Sequence, residues 1–227
     1  GGIVWSTGGD ANWFAQNDVT HDGVDAAQSG AIFRNKSTSL SATLEGPGTL
    51  KFKWKVSSDF YSPDTLAFHL NGVLQTGDLS PISGDKDWAE KTVAIPAGSH
   101  TVEWRYSKGL YTDLGADAGW VDEVQFVSPY QFWAGENNLV GSDGEMLANP
   151  DSDRLLNLQE FAFGTDPSTS DAGRLAFVID GALTTAGGPM LMNLAQPGQS
   201  DDFRIVFPRH KNHASIGLNY TVQFSAD

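Results

Sequence analysis

Leu50-Lys51-Phe52-Lys53-Trp54-Lys55-Val56 alternates without a break between apolar and basic residues. Side chains on a strand point to opposite faces in turn, so Leu50, Phe52, Trp54 and Val56 fall on one face and three lysines on the other. This is the signature of a strand with one side in a core and one side wet. Asp64-Thr65-Leu66-Ala67-Phe68-His69-Leu70 repeats it, and so does Thr101-Val102-Glu103-Trp104-Arg105-Tyr106. Ser39–Leu44, Lys91–Ile95 and Trp120–Val127 read as shorter strands, with turns at Gly46-Pro47-Gly48, Asn71-Gly72 and Pro96-Ala97-Gly98. The spacing predicts a mainly β protein, with a jelly-roll or other β-sandwich domain over residues 1–128.

Beyond this domain the composition changes. Residues 129–170 are rich in Gly, Asn and Asp and read as a connector with one short helix at Leu156–Phe163, stopped by Gly164. Alternation returns in 171–227, at Phe203, Ile205 and Phe207 and again at Tyr220, Val222 and Phe224. So short a stretch reads as a small β-rich segment or a truncated sandwich. The Gly-Gly start and the end at Asp227 suggest a fragment of a longer chain.

The 227 residues carry a formal charge of −14, and the acids are 21 Asp against 7 Glu. This argues against a nucleic-acid binder, which needs clustered Lys and Arg. No apolar run is long enough to insert in a membrane. Zero Cys excludes disulfides, thiolate metal sites and a thiol nucleophile. The Asp excess favours turns, caps and hard-cation sites over helices.

Asn149-Pro150-Asp151-Ser152-Asp153-Arg154-Leu155-Leu156-Asn157-Leu158-Gln159-Glu160 supplies that chemistry. Calcium takes six to eight hard oxygens, and a 12-residue loop offers them at positions 1, 3, 5, 7, 9 and 12. These are Asn149, Asp151, Asp153, the Leu155 carbonyl, Asn157 and a bidentate Glu160. Asn replaces the usual Asp at position 1, and Arg154 stands at position 6, where Gly usually makes the sharp turn. A metal-free Asp-capped helix start is the alternative.

With the Phe161-Ala162-Phe163-Gly164-Thr165-Asp166-Pro167 that follows, this stretch resembles the calcium loops of thrombospondin type 3 repeats in bacterial extracellular proteins. The resemblance implies that Asp166 is a further ligand. Asp22–Gly30, Phe52–Ser58 and Ala118–Val124 are similar to MAM-like or concanavalin-like jelly rolls of secreted bacterial proteins. This implies an exported, multidomain, non-catalytic region.

Strand parity suggests a second cation site. If Val124 and Phe126 face the core, so does Asp122, and a buried carboxylate needs a cation or several N–H donors. Asp22 and Asp25 complete the proposed set. For catalysis, no H-E-x-x-H, G-x-S-x-G or phosphate-loop motif occurs. Adjacent Asp122 and Glu123 face opposite sides of a strand and cannot act as a glycosidase pair. His69 reads as a solvated strand residue, and His210 and His213 as exposed loop residues.

The reading is therefore a calcium-stabilised, monomeric, secreted module without enzymatic activity, whose partner is a polysaccharide or cell-surface glycan, with neighbouring domains of the same parent chain as further partners. Phe60, Tyr61, Trp88 and Tyr111, placed in loops, are candidates for sugar stacking. Lys51, Lys53 and Lys55 are candidates for an anionic polysaccharide, or else a solvated face paired with acids. An adhesion or spacer module, and an accessory region of a secreted hydrolase such as a protease, are the alternatives.

Overall fold

The computed structural model describes residues 2–59, 64–110, 114–170, 175–179, 182–186, 189–193 and 203–223. They form two compact units, Gly1–Val127 and Ser128–Asp227.

The first unit is built from β1 (Trp5–Gly9), β2 (Phe14–Gln16), β3 (Ala26–Gln28), β4 (Ser37–Ser57), β5 (Thr65–Leu70), β6 (Val73–Leu74), β7 (Lys86–Ser107) and β8 (Ala118–Val127). All pairings are antiparallel, in the order β2-β3-β8-β4-β7-β5-β6, with β1 also on β4. The long partners β4 and β7 run together from Ser37↔Ser107 to Val56↔Lys86. At one end of this ladder Leu40 faces Trp104, and at the other Phe52 faces Lys91. Twelve residues of straight strand would part Leu40 from Phe52 by about 40 Å. Yet the Phe52 and Trp104 rings are 5.0 Å apart, and Phe52 and Phe68 are 5.3 Å apart. The sheet therefore folds back on itself, and its apolar faces close a sandwich core. Leu50, Phe52, Trp54 and Val56 all lie in that core, at 0–1% exposure.

The fold-back occurs where turns are expected from sequence. Gly46-Pro47-Gly48 and Pro96-Ala97-Gly98 do not end strands. Gly46 pairs with Gly98, and the register slips between Gly46 and Gly48. Ser39–Leu44 and Leu50–Val56 are thus two arms of one bent strand, and so are the two halves of β7. A Cβ on Gly46 would collide with the Pro96 carbonyl, and Gly98 has φ 102°. Gly46 is set by close approach at the bend and Gly98 by its positive φ. Asn71-Gly72 is the turn expected, with positive φ at both residues (52° and 77°), the tight hairpin conformation joining β5 to β6.

Two further expectations are corrected. Glu123 has φ 48°, and three steps along β8, from Asp122 to Gln125, match two along β4, from Lys53 to Lys51. This bulge breaks the parity of Trp120–Val127. Val121, rather than Asp122, shares the core with Val124 and Phe126. His69 is 8% exposed rather than solvated. It pairs across the sheet with Glu103, and burial with the nearby Arg105 charge holds its imidazole below the ordinary value.

The second unit holds α1 (Pro129–Glu136), α2 (Asn157–Phe163), β9 (Leu175–Ile179) paired with β10 (Ala182–Ala186), and β11 (Met190–Asn193) paired with β12 (Phe203–Val206). Helix α1 is not expected from apolar periodicity. Its signal is the capping box: Ser128 Oγ accepts the Gln131 N–H, Gln131 Oε1 accepts the Ser128 N–H, and Pro129 takes the first turn. Helix α2 matches the expected helix, with Gly164 closing it in the left-handed conformation (φ 72°). Its buried side is Asn157, Glu160 and Phe161, while Leu158 is exposed. Phe161 meets Tyr130 and Trp133 edge-on or tilted, at 5.7 and 5.6 Å. The strand expected at Tyr220–Phe224 is irregular over its described part, through Gln223. Instead the Tyr220 ring stacks on Phe207 and its hydroxyl donates to the Ala162 carbonyl. No helix among the described residues is long and apolar enough to cross a membrane.

Candidate metal loop and aromatic cleft

The loop before α2 divides the polar atoms of each side chain between two tasks. Asn149 Nδ2 donates to the Asp153 carbonyl at 2.9 Å, leaving Oδ1. Asp151 Oδ1 accepts the Asp153 N–H, and Asp153 Oδ1 accepts the Leu155 N–H at 2.5 Å, leaving Oδ2 on each. Asn157 Nδ2 donates to the carbonyls of Asp143 and Glu145 at 2.6 and 3.0 Å, again leaving Oδ1. Glu160 has no hydrogen-bond partner on either oxygen among the described residues. Six buried oxygens of this one loop thus lack a hydrogen-bond donor among the described residues. They belong to the side chains at positions 1, 3, 5, 9 and 12 of the expected register.

The electrostatics point the same way. Oxygens of Asp151, Asp153 and Glu160 lie within 4.8 Å of one another, the one such acid or His group among the described residues. Asn157 and Glu160 are both 0% exposed. Burial first, then the charges of Asp151, Asp153 and Asp166, push the Glu160 carboxyl up to about 7. Each orphaned buried polar group costs roughly 1–3 kcal/mol. A divalent cation would remove that cost and the mutual repulsion together, so these residues can hold a hard metal ion. The sharp backbone turn is taken by Ser152 (φ 61°) at position 4, which explains how Arg154 is tolerated at position 6.

Asp166 is not in the 4.8 Å group, although its charge reaches Glu160, and its carboxylate is engaged in its own turn. Its carboxylate accepts the N–H and hydroxyl of Ser168 at 2.9 and 2.6 Å and the Thr169 hydroxyl at 3.1 Å, and the Ser168 bonds hold its pKa down. His210 Nε2 lies 2.7 Å from the Phe161 carbonyl and His213 Nδ1 3.1 Å from that of Leu218. Both are half-buried structural residues of this unit rather than exposed loop residues.

In the first unit, Asp22, Asp25 and Asp122 line one cleft of about 500 Å³. Asp122, buried, accepts the N–H groups of His21 and Glu123, both at 2.6 Å, and so pins the 18–25 loop to the β8 bulge. Asp22 accepts the Val24 N–H at 2.8 Å and is exposed, as is Asp25. The other side of the cleft is aromatic. Trp5 and Phe14 are 41% and 48% exposed, and the Trp5 ring rests against buried Trp104 at 5.9 Å. Sequence reasoning missed Trp5 and Phe14. They sit on short edge strands, and no spacing rule links them to Asp22 or Asp122.

Of the sugar-stacking candidates, only Trp88 falls among the described residues. Phe60, Tyr61 and Tyr111 lie outside the described residues. Trp88 stands on β7 rather than in a loop, with its ring edge-on to His21 at 6.2 Å. On the lysine face, Lys53 lies 3.5 Å from Glu123 and 3.9 Å from Glu90, and Lys55 lies 2.8 Å from Asp87. Lys51 is exposed. Neighbouring acids thus offset much of this basic stripe.

No family model matches the chain, and no curated protein matches it. Several solved structures resemble it. A secreted serine protease, VesC, from Vibrio cholerae matches at TM-score 0.39 and 16% identity, over 51% of this chain and 24% of its own. The K3 cleaved adhesin domain of Lys-gingipain from Porphyromonas gingivalis matches at 0.39 and 19%, over 55% and 91%. The CBM22-1 xylan-binding domain of Xyn10C from Paenibacillus barcinonensis matches at 0.34 and 16%, over 54% and 83%. The chain is therefore similar to domains from bacterial proteins described as secreted, adhesive or xylan-binding, and it spans about a quarter of the protease it matches.

Proposed function

We propose that this chain is a non-catalytic module of a secreted bacterial protein, that one calcium ion stabilises its Asn149–Glu160 loop, and that its first unit holds carbohydrate. The observation that carries the reading is the set of six buried oxygens in that loop that find no hydrogen-bond donor among the described residues. Oxygen-only ligation favours calcium or magnesium over softer metals. A loop offering this many oxygens, with a bidentate Glu, suits calcium, whereas magnesium prefers rigid octahedral geometry and retained water. The Leu155 carbonyl supplies the seventh oxygen. Three carboxylates, with Asn at position 1, are a modest charge for such a site. Affinity of about 10⁻⁴ to 10⁻³ M follows, the range of extracellular modules bathed in calcium.

For carbohydrate, the support is the cleft: ring faces to pack against sugar C–H groups, and carboxylates to accept hydroxyl hydrogens. The test is twofold. Chelator should lower the melting temperature of metal-loaded protein, and calcium should restore it. Affinity electrophoresis or a glycan array should show retention that Trp5→Ala abolishes. An unchanged melting curve in EDTA would refute the calcium assignment. Retention on no glycan would refute the carbohydrate assignment and turn the reading to an adhesion or spacer module.

A further inference from the structure

The carboxylates of the cleft are not equivalent. Both oxygens of Asp122 are taken by backbone N–H groups. Glu123 is paired, with its oxygens 2.8 Å from His21 Nδ1 and 3.5 Å from Lys53 Nζ. No Lys, Arg or His pairs with Asp22 or Asp25 among the described residues. These two exposed carboxylates share the cleft with the open rings of Trp5 and Phe14. Trp13, 5% exposed, lines the same cleft, and its indole N–H finds no acceptor among the described residues.

Negative charge beside open aromatic faces is the environment in which an ammonium group is held, by Coulomb attraction and by the ring quadrupole together. A volume near 500 Å³ is in the range of small-ligand sites. A sugar that carries an amine uses every part of this lining. Its C–H face packs on Trp5 or Phe14, its hydroxyls meet polar lining atoms, and its ammonium meets Asp22 and Asp25. A uronic acid would bring like charge to the same carboxylates. We propose that the cleft selects a cationic amino sugar, a polysaccharide rich in free glucosamine-type residues, over neutral N-acetylated and anionic polysaccharides. The inference rests on the reading that the first unit binds carbohydrate.

The test compares three probes on the full chain in mildly acidic, low-salt buffer: a β-1,4-linked glucosamine oligosaccharide, its N-acetylated counterpart and an oligogalacturonate. The amine form is expected to bind about tenfold or more tightly than the acetylated form, with the galacturonate weakest. Added salt should erase the difference, because exposed charges are screened. Asp25→Asn and Asp22→Asn should each remove most of the preference for the amine, read as the ratio of the amine and acetylated affinities in the same variant, and both positions are exposed enough to spare the fold. Equal affinity for amine and acetylated forms, or a preference for galacturonate, overturns the inference while carbohydrate binding stands. A preference that survives in both Asn variants also overturns it. Binding of none of the three, with retention on other glycans, overturns the inference alone. Retention on no glycan at all overturns the parent reading with it.

Discussion

Replacing Glu160 by Gln should have opposite effects in chelator and in calcium. In the metal-free protein, both Glu160 oxygens lack partners among the described residues, the residue is 0% exposed and three carboxylates act on it. Its pKa rises from an ordinary 4.5 to about 7. A raised acid pKa means that the folded chain keeps a proton which the unfolded chain has lost. Metal-free stability therefore declines as pH rises through the window from 4.5 to 7. At about 1.4 kcal/mol for each pH unit, the decline has a ceiling of about 3.5 kcal/mol. Gln does not ionise, so the variant should escape this decline and be the more stable protein in EDTA above pH 7. In calcium the order inverts. Wild type gains about 2.7 kcal/mol at a hundredfold excess over its dissociation constant, and the variant, lacking the bidentate ligand, gains little. Calcium must also displace the Glu160 proton, so its affinity should rise with pH up to about 7. Denaturant melts of both proteins across this pH range, in EDTA and in calcium, read all of these effects. A variant less stable than wild type in EDTA at every pH would refute the buried-charge argument. Full calcium stabilisation in the variant would refute the ligand assignment.

Other expectations follow from single contacts. Asp153→Asn keeps an acceptor for the Leu155 N–H but removes a charge, so calorimetry should show calcium affinity falling about tenfold or more with the fold intact. Asn157→Ala loses two bonds to the Asp143 and Glu145 carbonyls besides a ligand, and should cost about 1–3 kcal/mol in denaturant melts even in EDTA. Gly46→Ala drives a Cβ into the Pro96 backbone at the bend, and should cost about 2 kcal/mol or more, seen as a lowered melting temperature of the first unit. Burial pushes the Asp64 carboxyl up from its ordinary 3.8, with Asp117 and Asp59 adding to the effect, so wild-type stability falls as pH rises past that value. Asp64→Asn should flatten this part of the profile in pH-dependent melts.

What the sequence made legible was local. Leu50–Val56 announces its two faces because the strand period is two, and those residues do line the core. The metal loop is legible for the same reason: its ligand residues are fixed by spacing within 12 residues, and the structure leaves an oxygen free on each of five of those side chains. What failed needed a partner. Gly46-Pro47-Gly48 carries the chemistry of a turn, and only its pairing with Gly98 shows that it bends a continuing strand. The parity of Asp122 was broken by a single bulge at Glu123, which periodicity cannot foresee. The cleft joins Trp5, Phe14, Asp22 and Asp25, near one end of the chain, to Asp122 on β8, so no local motif could join them all. His69 was misplaced because its polar face is covered by the cross-strand neighbours Glu103 and Leu74.

The most direct test of the central claim is calorimetric titration of calcium into the metal-free chain, beside Glu160→Gln and Asp151→Asn. The structure predicts one ion bound at the loop, with that heat lost in Glu160→Gln and much weakened in Asp151→Asn. No binding up to about 10 mM, above the range of extracellular sites, would contradict it. So would a titration that both substitutions leave unchanged.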